Sequence, residues 1–134
     1  MPKTIIEPVR AGRCLAPLVI YAPGEKHEAL TICGLIDTSA PQSAIDPRIA
    51  QILRLPRMRP QTLAPATGDQ VGYPIQSAMI EFWLQGFGAD GVGGTFDLAT
   101  LLTPAAGISM LVGVDILKAG DFGLHASGIW DFTF

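Results

Sequence analysis

Short apolar runs separated by Gly, Pro and Asp dominate this chain, which is the pattern of strands more than of helices. Leu15–Tyr21 (LAPLVIY) predicts a strand, and residues 29–36 (ALTICGLI) predict the strand that returns from it. Residues 61–81 predict a second hairpin with its turn at 66–70. Residues 128–134 alternate bulky and polar side chains, as a terminal strand would. We therefore expect an all-β protein.

Two stretches interrupt the strands with helical signals. In residues 45–53, apolar residues recur at helical spacing, Asp46 is at the N-cap position and Pro47 is at the first helical position. Leu111 and Val112 predict a short strand that ends at Gly113, and residues 114–119 then suit one or two helical turns. The predicted strands are thus accompanied by one or two short helices.

Length and charge limit the classes of partner. The chain has 134 residues, of which 49% are hydrophobic and 16% charged, with a formal net charge of -3. We expect a single domain spanning 1–134, with residues 1–13 as an N-terminal arm. Arg54, Arg57 and Arg59 lie beside Pro56 and Pro60, which favours a solvated loop over a nucleic-acid or heparin site. No nucleic-acid partner is expected.

Nothing in the sequence indicates a membrane or an export signal. Pro and Glu interrupt the N-terminus where a signal peptide needs an apolar stretch. The longest uncharged apolar region, 101–114, is shorter than the ~20 residues of a spanning helix. Cys14 and Cys33 are too few for a disulfide framework, so we predict buried free thiols. A cytoplasmic, reducing location is expected.

Several familiar motifs are incomplete here. Residues 86–91 match GxGxxG, but no helix opens on them, and we interpret them with 92–94 as a glycine-rich loop. His27 and His125 lack metal-ligand spacing, so no metal site is predicted and no cofactor is expected. The absence of a GxSxG elbow disfavours a Ser or Cys hydrolase.

Asp37 directly follows the apolar pair Leu35 and Ile36. Taken alone, a carboxylate at a strand end is often only a turn cap. Here it is followed by a glycine-containing hairpin turn and then by a second apolar pair that ends at Gly113. These three features, in this order, resemble the retropepsin-like aspartic proteases. The half-site is residues 35–40 (LIDTSA), the second element is 111–117 (LVGVDIL), the flap is 66–74, and 43–55 is similar to the corresponding segment of bacterial members.

The resemblance implies a closed β-barrel with a flap hairpin and the activity of an aspartic endopeptidase. Because the chain has one half-site, it also implies a homodimer in which each copy supplies Asp37. Thr38 would brace the partner's loop. The catalytic residues would be Asp37, Thr38 and Ser39, and an extended peptide substrate would contact Ala40 and the flap tip, with residues Ala66, Thr67, Gly68 and Asp69.

Ser39 departs from the family motif, which has glycine at this position. Its hydroxyl could hydrogen bond to Asp37, or it could face the flap or the partner loop, and the sequence leaves both orientations open. Besides a working peptidase, two alternatives therefore remain: a catalytically weak or inactive peptide-binding or assembly module, and a β-domain whose Asp37 is only a turn residue. The terminal strand at 130–134 has no obvious partner within the chain, which we take as further support for a homodimer.

Overall fold

The structure is a computed structural model that describes residues 4–63, 71–82, 92–101 and 107–133. Two α-helices are described, α1 (Pro47–Ile52) and α2 (Val114–Leu117), together with a short 3-10 helix, Lys26–Glu28. The strands, in chain order, are β1 Thr4–Pro8, β2 Leu15–Tyr21, β3 Leu30–Ile36, β4 Ala44–Ile45, β5 Arg57–Leu63, β6 Val71–Phe82, β7 Val92–Thr100, β8 Met110–Val112, β9 Asp121–Leu124 and β10 Ile129–Thr133.

The strands close into a barrel. Six of them follow the order β2, β3, β8, β4, β7, β6, and β6 then pairs with β2 to complete the circle. Strand β5 extends the sheet beyond β6, with which it forms the predicted antiparallel hairpin. The expected fold class, an all-β closed barrel with two short helices, is confirmed.

Alternation along the strands fills the barrel. In β2, Ala16, Leu18 and Ile20 are fully buried, whereas the residues between them are half-buried. This period of two is what the pleat of a strand requires when one face is turned to the core. The other strands and helix α2 add fully buried side chains to the same cluster: Ile45, Ile80, Leu98, Met110, Val112 and Ile116.

Strands β3 and β8 pair in parallel, although they are far apart in sequence. Gly34 lies opposite Met110, and Ile36 lies opposite Val112. Because parallel strands run in the same direction, both end at the same edge of the sheet. The residues that follow them, Asp37 and Gly113, are therefore brought side by side.

The terminal strand has partners within the chain, so our expectation that it lacks one is wrong. β10 lies in the middle of a three-stranded sheet, with β1 on one side and β9 on the other. Residues 4–8, within the predicted arm, form β1. Trp130 and Phe132 of β10 are buried in the core, whereas Ile6 and Ile129 lie on the opposite, exposed face of this sheet.

Other sequence-based expectations also need correction. Residues 92–94 begin strand β7 and are not part of a loop. Arg57 and Arg59 lie in strand β5, although we expected a solvated loop there. Cys14 and Cys33 are free, as predicted, but they are half-buried, and burial raises the pKa of both thiols. Among the described residues, no helix has the length and apolar character needed to cross a membrane.

Helix α1 begins as predicted, with Asp46 at the N-cap and Pro47 after it. The nearly buried Asp46 carboxylate accepts a hydrogen bond from the backbone N–H of Arg48 at 2.9 Å and forms an ion pair with the Arg48 guanidinium at 2.8 Å. The side-chain hydrogen bond from Arg48 is the main reason that the pKa of Asp46 is lowered, and burial opposes it.

We expect Asp46→Ala to lower the free energy of unfolding by about 1 kcal/mol at neutral pH, because it removes the helix cap. The pKa of Asp46 is lower in the folded state than the usual 3.8, so its contribution is complete above that value and is lost as the pH falls through the folded-state pKa. Chemical denaturation between pH 3 and 7 measures this. Asp121→Ala, at an exposed carboxylate of β9, is the control. Equal effects of the two substitutions at neutral pH would contradict the role of the cap.

Candidate active site

Asp37 lies where the parallel pair β3 and β8 ends. Its backbone N–H donates to the carbonyl of Val112 at 2.9 Å, which extends the pairing of the two strands by one residue. Its own carbonyl accepts from the N–H of Ala40 at 3.2 Å and so closes a tight turn through Thr38 and Ser39. The carboxylate is thereby held at the barrel edge, half-buried, at the base of an exposed loop.

Ser39 makes both side-chain hydrogen bonds that Asp37 receives within the described residues. The Ser39 backbone N–H donates to Asp37 Oδ1 at 3.0 Å, and the Ser39 hydroxyl donates to the same oxygen at 2.5 Å. The structure thus selects the first of the two orientations that the sequence left open. The φ angle of Ser39 is not positive, so the loop conformation does not itself require the glycine of the family motif.

Gly113 allows the second element to approach this loop closely. A Cβ atom at this position would lie 2.6 Å from the carbonyl oxygen of Ala40 and 2.9 Å from the backbone carbon of Gln42. Both are backbone atoms, so they could not move aside without shifting the loop that carries Asp37. The next residue, Val114, donates its N–H to the Ala40 carbonyl at 2.8 Å. Glycine is therefore needed at 113 because of close packing.

A hydrogen-bonded pair, Ser43 and the half-buried Asp115, links the far end of the loop to helix α2. Asp115 Oδ1 accepts from the Ser43 N–H at 3.0 Å and from the Ser43 hydroxyl at 2.7 Å. Ser43, which is fully buried, in turn accepts from the backbone N–H of Gly113 at 2.8 Å. Through Oδ1, Asp115 thus holds the loop and the helix together.

No sequence motif indicates the role of either member of this pair. Ser43 appeared only as the start of a segment, and Asp115 only as part of the second element. The signal in the sequence was local: a small hydroxyl residue just before an apolar strand, and a carboxylate in the first turn of a short helix. Their contact spans 72 positions of the sequence, which no local pattern reports.

The other predicted site residues are divided between two regions. Thr38 is exposed, and within the described part of the chain no partner is recorded for its hydroxyl. Ala40 is half-buried and is fixed through both its N–H and its carbonyl. The flap-tip residues Ala66, Thr67, Gly68 and Asp69 lie outside the described residues, as do residues 86–91.

A cavity of about 560 Å³ adjoins the Asp37 loop through Pro41 and Gln42. Strand β7 and helix α2 complete its lining and contribute charged groups of both signs: Asp97 on the strand, Asp115 in the helix and Lys118 at the helix end. A second polypeptide segment lying over the loop would therefore have these charged groups beside it.

The fold can be compared with solved structures. A search finds the crystal structure of a retropepsin-like aspartic protease from Rickettsia conorii, with a TM-score of 0.64 and 15% sequence identity. The alignment covers 100% of this chain and 92% of that one. The fold is retropepsin-like.

The similarity between this chain and the solved protease is one of structure alone. No protein-family model matches the sequence, and no curated protein matches it either. At this identity, the comparison supports the barrel and the placement of its elements.

One group of possible metal ligands occurs away from the Asp37 loop. Glu25, His27 and Glu28 bring ligand atoms within 4.8 Å of one another around the short 3-10 helix. All of them are exposed, and His27 Nε2 lies 3.3 Å from Glu25. The cluster does not have the HExxH spacing, so that motif does not reveal it in the sequence. Exposed acidic groups of this kind are common without a bound ion.

Proposed function

We propose that this protein is an aspartic endopeptidase that acts as a homodimer, with Asp37 supplied by each of the two copies. The observation that carries the proposal is the position of Asp37: at the end of a barrel strand, hydrogen bonded by Ser39 and packed beside Gly113 in a retropepsin-like fold. A carboxylate that served only as a turn cap would not need the close approach of a second, distant element.

The proposed reaction needs two carboxylates that share one proton. One activates a water molecule for attack on the scissile carbonyl, and the other protonates the carbonyl oxygen. Asp115 ties the second element to Ser43, whereas Asp37 lies at the strand end in the half-site, so in this proposal the chain offers Asp37 as its member of such a pair. The two-fold axis of a homodimer would place the second Asp37 opposite the first. In this proposal the exposed Thr38 hydroxyl bonds across that axis.

The substrate class proposed is an extended peptide or protein segment. An extended chain can be held largely by main-chain hydrogen bonds, with residues such as Ala40 below it and the hairpin of β5 and β6 above it. In this proposal Ala66, Thr67, Gly68 and Asp69 form the closing tip of that hairpin.

A catalytically weak or inactive peptide-binding or assembly module is the second candidate, and the Ser39 hydroxyl favours it. This hydroxyl bonds to the carboxylate oxygen on which the proposed reaction depends. A dimer of this kind would still bind an extended peptide but would hydrolyse it slowly or not at all. Incubation with a complex peptide library from acid to mildly alkaline pH, with and without pepstatin, separates the two candidates: pepstatin-sensitive cleavage supports the peptidase.

The exposed face of the terminal sheet is the proposed dimer contact. Ile6 is 63% exposed and Ile129 is 37% exposed, and the register of β1 and β10 places both on the same side. Apolar residues on an exposed sheet face can be covered by a second copy of the same face. A stable interface of this type should bury more than ~1,200 Å² in total.

We expect Ile6→Glu to convert the dimer to a monomer and to abolish peptide cleavage together with it, because an unpaired charge would have to be buried in the apolar contact. Sedimentation or light scattering at micromolar concentrations measures the change. Ile52→Glu is the matched control, since Ile52 is 66% exposed on helix α1 and should tolerate the charge. A wild-type protein that is monomeric at high micromolar concentration would refute the shared site.

Ser39→Gly should keep the dimer and raise peptidase activity. The substitution removes the hydroxyl that donates to Asp37 but keeps the backbone N–H that bonds to the same oxygen. Because Asp37 Oδ1 then accepts one hydrogen bond fewer from the protein, this oxygen is freer to activate water, so peptide cleavage should increase. If the serine and glycine forms are both dimeric yet inert toward the library at every pH, the binding-module candidate replaces the peptidase.

A further inference from the structure

The arginine-rich segment that follows helix α1 lines a cavity on the described surface. Its volume is about 410 Å³, which is in the range of small-molecule sites. The apolar side chains of Ala50 and Leu55, both nearly fully buried, form part of its wall. Its polar lining comes from four residues that carry amide or guanidinium groups: Gln51, Arg54, Arg57 and Gln76.

Both guanidinium groups of this cavity lack a carboxylate partner within the described residues. Arg48, by contrast, is paired with Asp46 at 2.8 Å. Among the described residues, neither Arg54 nor Arg57 forms an ion pair or a side-chain hydrogen bond, and none of those lining the cavity is acidic. Two positive charges thus lie together in a protein whose net charge is negative.

Gln76 is the second observation, and it is independent of the charges. It belongs to strand β6, is 8% exposed and lines the cavity. Among the described residues its side-chain amide has no recorded hydrogen-bond partner. In the part of the chain that the structure describes, only Trp130 Nε1 is an enclosed side-chain polar atom without a partner, so the polar atoms of Gln76 remain accessible within the cavity. Its NH₂ group can donate to an anion that enters the cavity.

We propose that this cavity binds a small molecule through a phosphate or carboxylate group. The oxygens would accept from Arg54 and Arg57, because planar guanidinium groups match the geometry of phosphates and carboxylates. The Gln76 amide would donate from the cavity wall, while Ala50 and Leu55 contact the apolar part of the ligand. The loop that carries Asp37 does not line this site, so the proposal is independent of peptidase activity.

Helix geometry provides a variant that tests binding without unfolding the protein. Arg54 has a φ of 52° directly after the helix cap, and Leu55 donates its N–H to Ala50 while Arg54 donates to Gln51. These two hydrogen bonds and the positive φ form a Schellman motif. Glycine is the preferred residue at the position of this motif that Arg54 occupies. Arg54→Gly therefore removes the guanidinium and should keep or raise thermal stability.

The test is a titration of the full chain with inorganic phosphate and, separately, with citrate, each compared with sodium chloride at equal ionic strength. Amide NMR shifts and thermal stability are the measurements. Saturable shifts near the end of α1 and in β5 are expected with at least one probe. The probe that binds more tightly distinguishes a phosphate from a carboxylate ligand.

Arg54→Gly, Arg54→Gln and Arg57→Gln should each weaken binding about tenfold or more. Gln76→Leu should also weaken it. Arg13→Gln is the matched control, because it removes one exposed charge outside the cavity and should leave binding unchanged. The proposal is overturned if chloride gives the same shifts as both probes, or if the stable Arg54→Gly variant binds like the wild type.

Discussion

Asp37→Asn is expected to reduce peptide cleavage by about a thousandfold or more, because asparagine keeps the shape of the side chain but can neither share a proton nor activate water. Fold and dimerisation should persist, since Ser39 can still donate to the amide oxygen in place of Asp37 Oδ1. The measurement is kcat/KM on a library-derived peptide. Asp121→Asn, at an exposed position of β9, is the control for the loss of a carboxylate elsewhere.

Mixed dimers make this prediction specific to a site shared by two copies. If wild-type and Asp37→Asn subunits assemble at random in equal amounts, about a quarter of the dimers carry two aspartates. Cleavage should then fall to about a quarter of the wild-type value. A site contained in one chain would instead retain about half. Undiminished cleavage by the purified Asn variant would exclude Asp37 as the catalytic group.

Gly113→Ala should damage both stability and cleavage. The new methyl group would lie 2.6 Å from the Ala40 carbonyl oxygen, so either the Asp37 loop or the start of helix α2 has to move. Overpacking of this kind costs about 1–3 kcal/mol in free energy of unfolding. A displacement of roughly 1 Å at the reacting carboxylate can lower the rate about a hundredfold.

Gly94→Ala is the matched control for this substitution. Gly94 is in strand β7, and the nearest atom to a Cβ added there belongs to the Phe96 side chain, at 3.6 Å. That is an ordinary contact, so the variant should unfold and cleave like the wild type. Denaturant unfolding and kcat/KM, measured on both variants, give the comparison. Wild-type behaviour of Gly113→Ala would show that the close approach does not position Asp37.

Local patterns in the sequence determined much of this fold. The alternation in β2 and β3, the Asp46–Pro47 start of α1, and the apolar pair that ends at Gly113 are all read from a few neighbouring residues. Each depends on short-range effects: the pleat of a strand, the capping of a helix and the restricted φ of proline. The same patterns placed Asp37 at a strand end and suggested the retropepsin-like barrel.

Tertiary structure decided the features whose partners are distant in sequence. The glycine-rich start of β7 becomes a strand because β6 supplies hydrogen bonds along its length. The terminal strand β10 takes both of its partners from segments that the sequence did not mark as strands. Strand pairing depends on contacts between segments that are distant in sequence, so local composition could predict neither result.

The candidate site shows the same division. The sequence by itself supplied Asp37, Thr38, Ser39 and the Leu111–Val112–Gly113 element, because these residues form local motifs. Only the parallel pairing of β3 and β8 brought the two elements together, and only the folded barrel bound Asp115 to Ser43. These contacts depend on where a folded barrel puts side chains from opposite ends of the chain, which no pattern of neighbouring residues records.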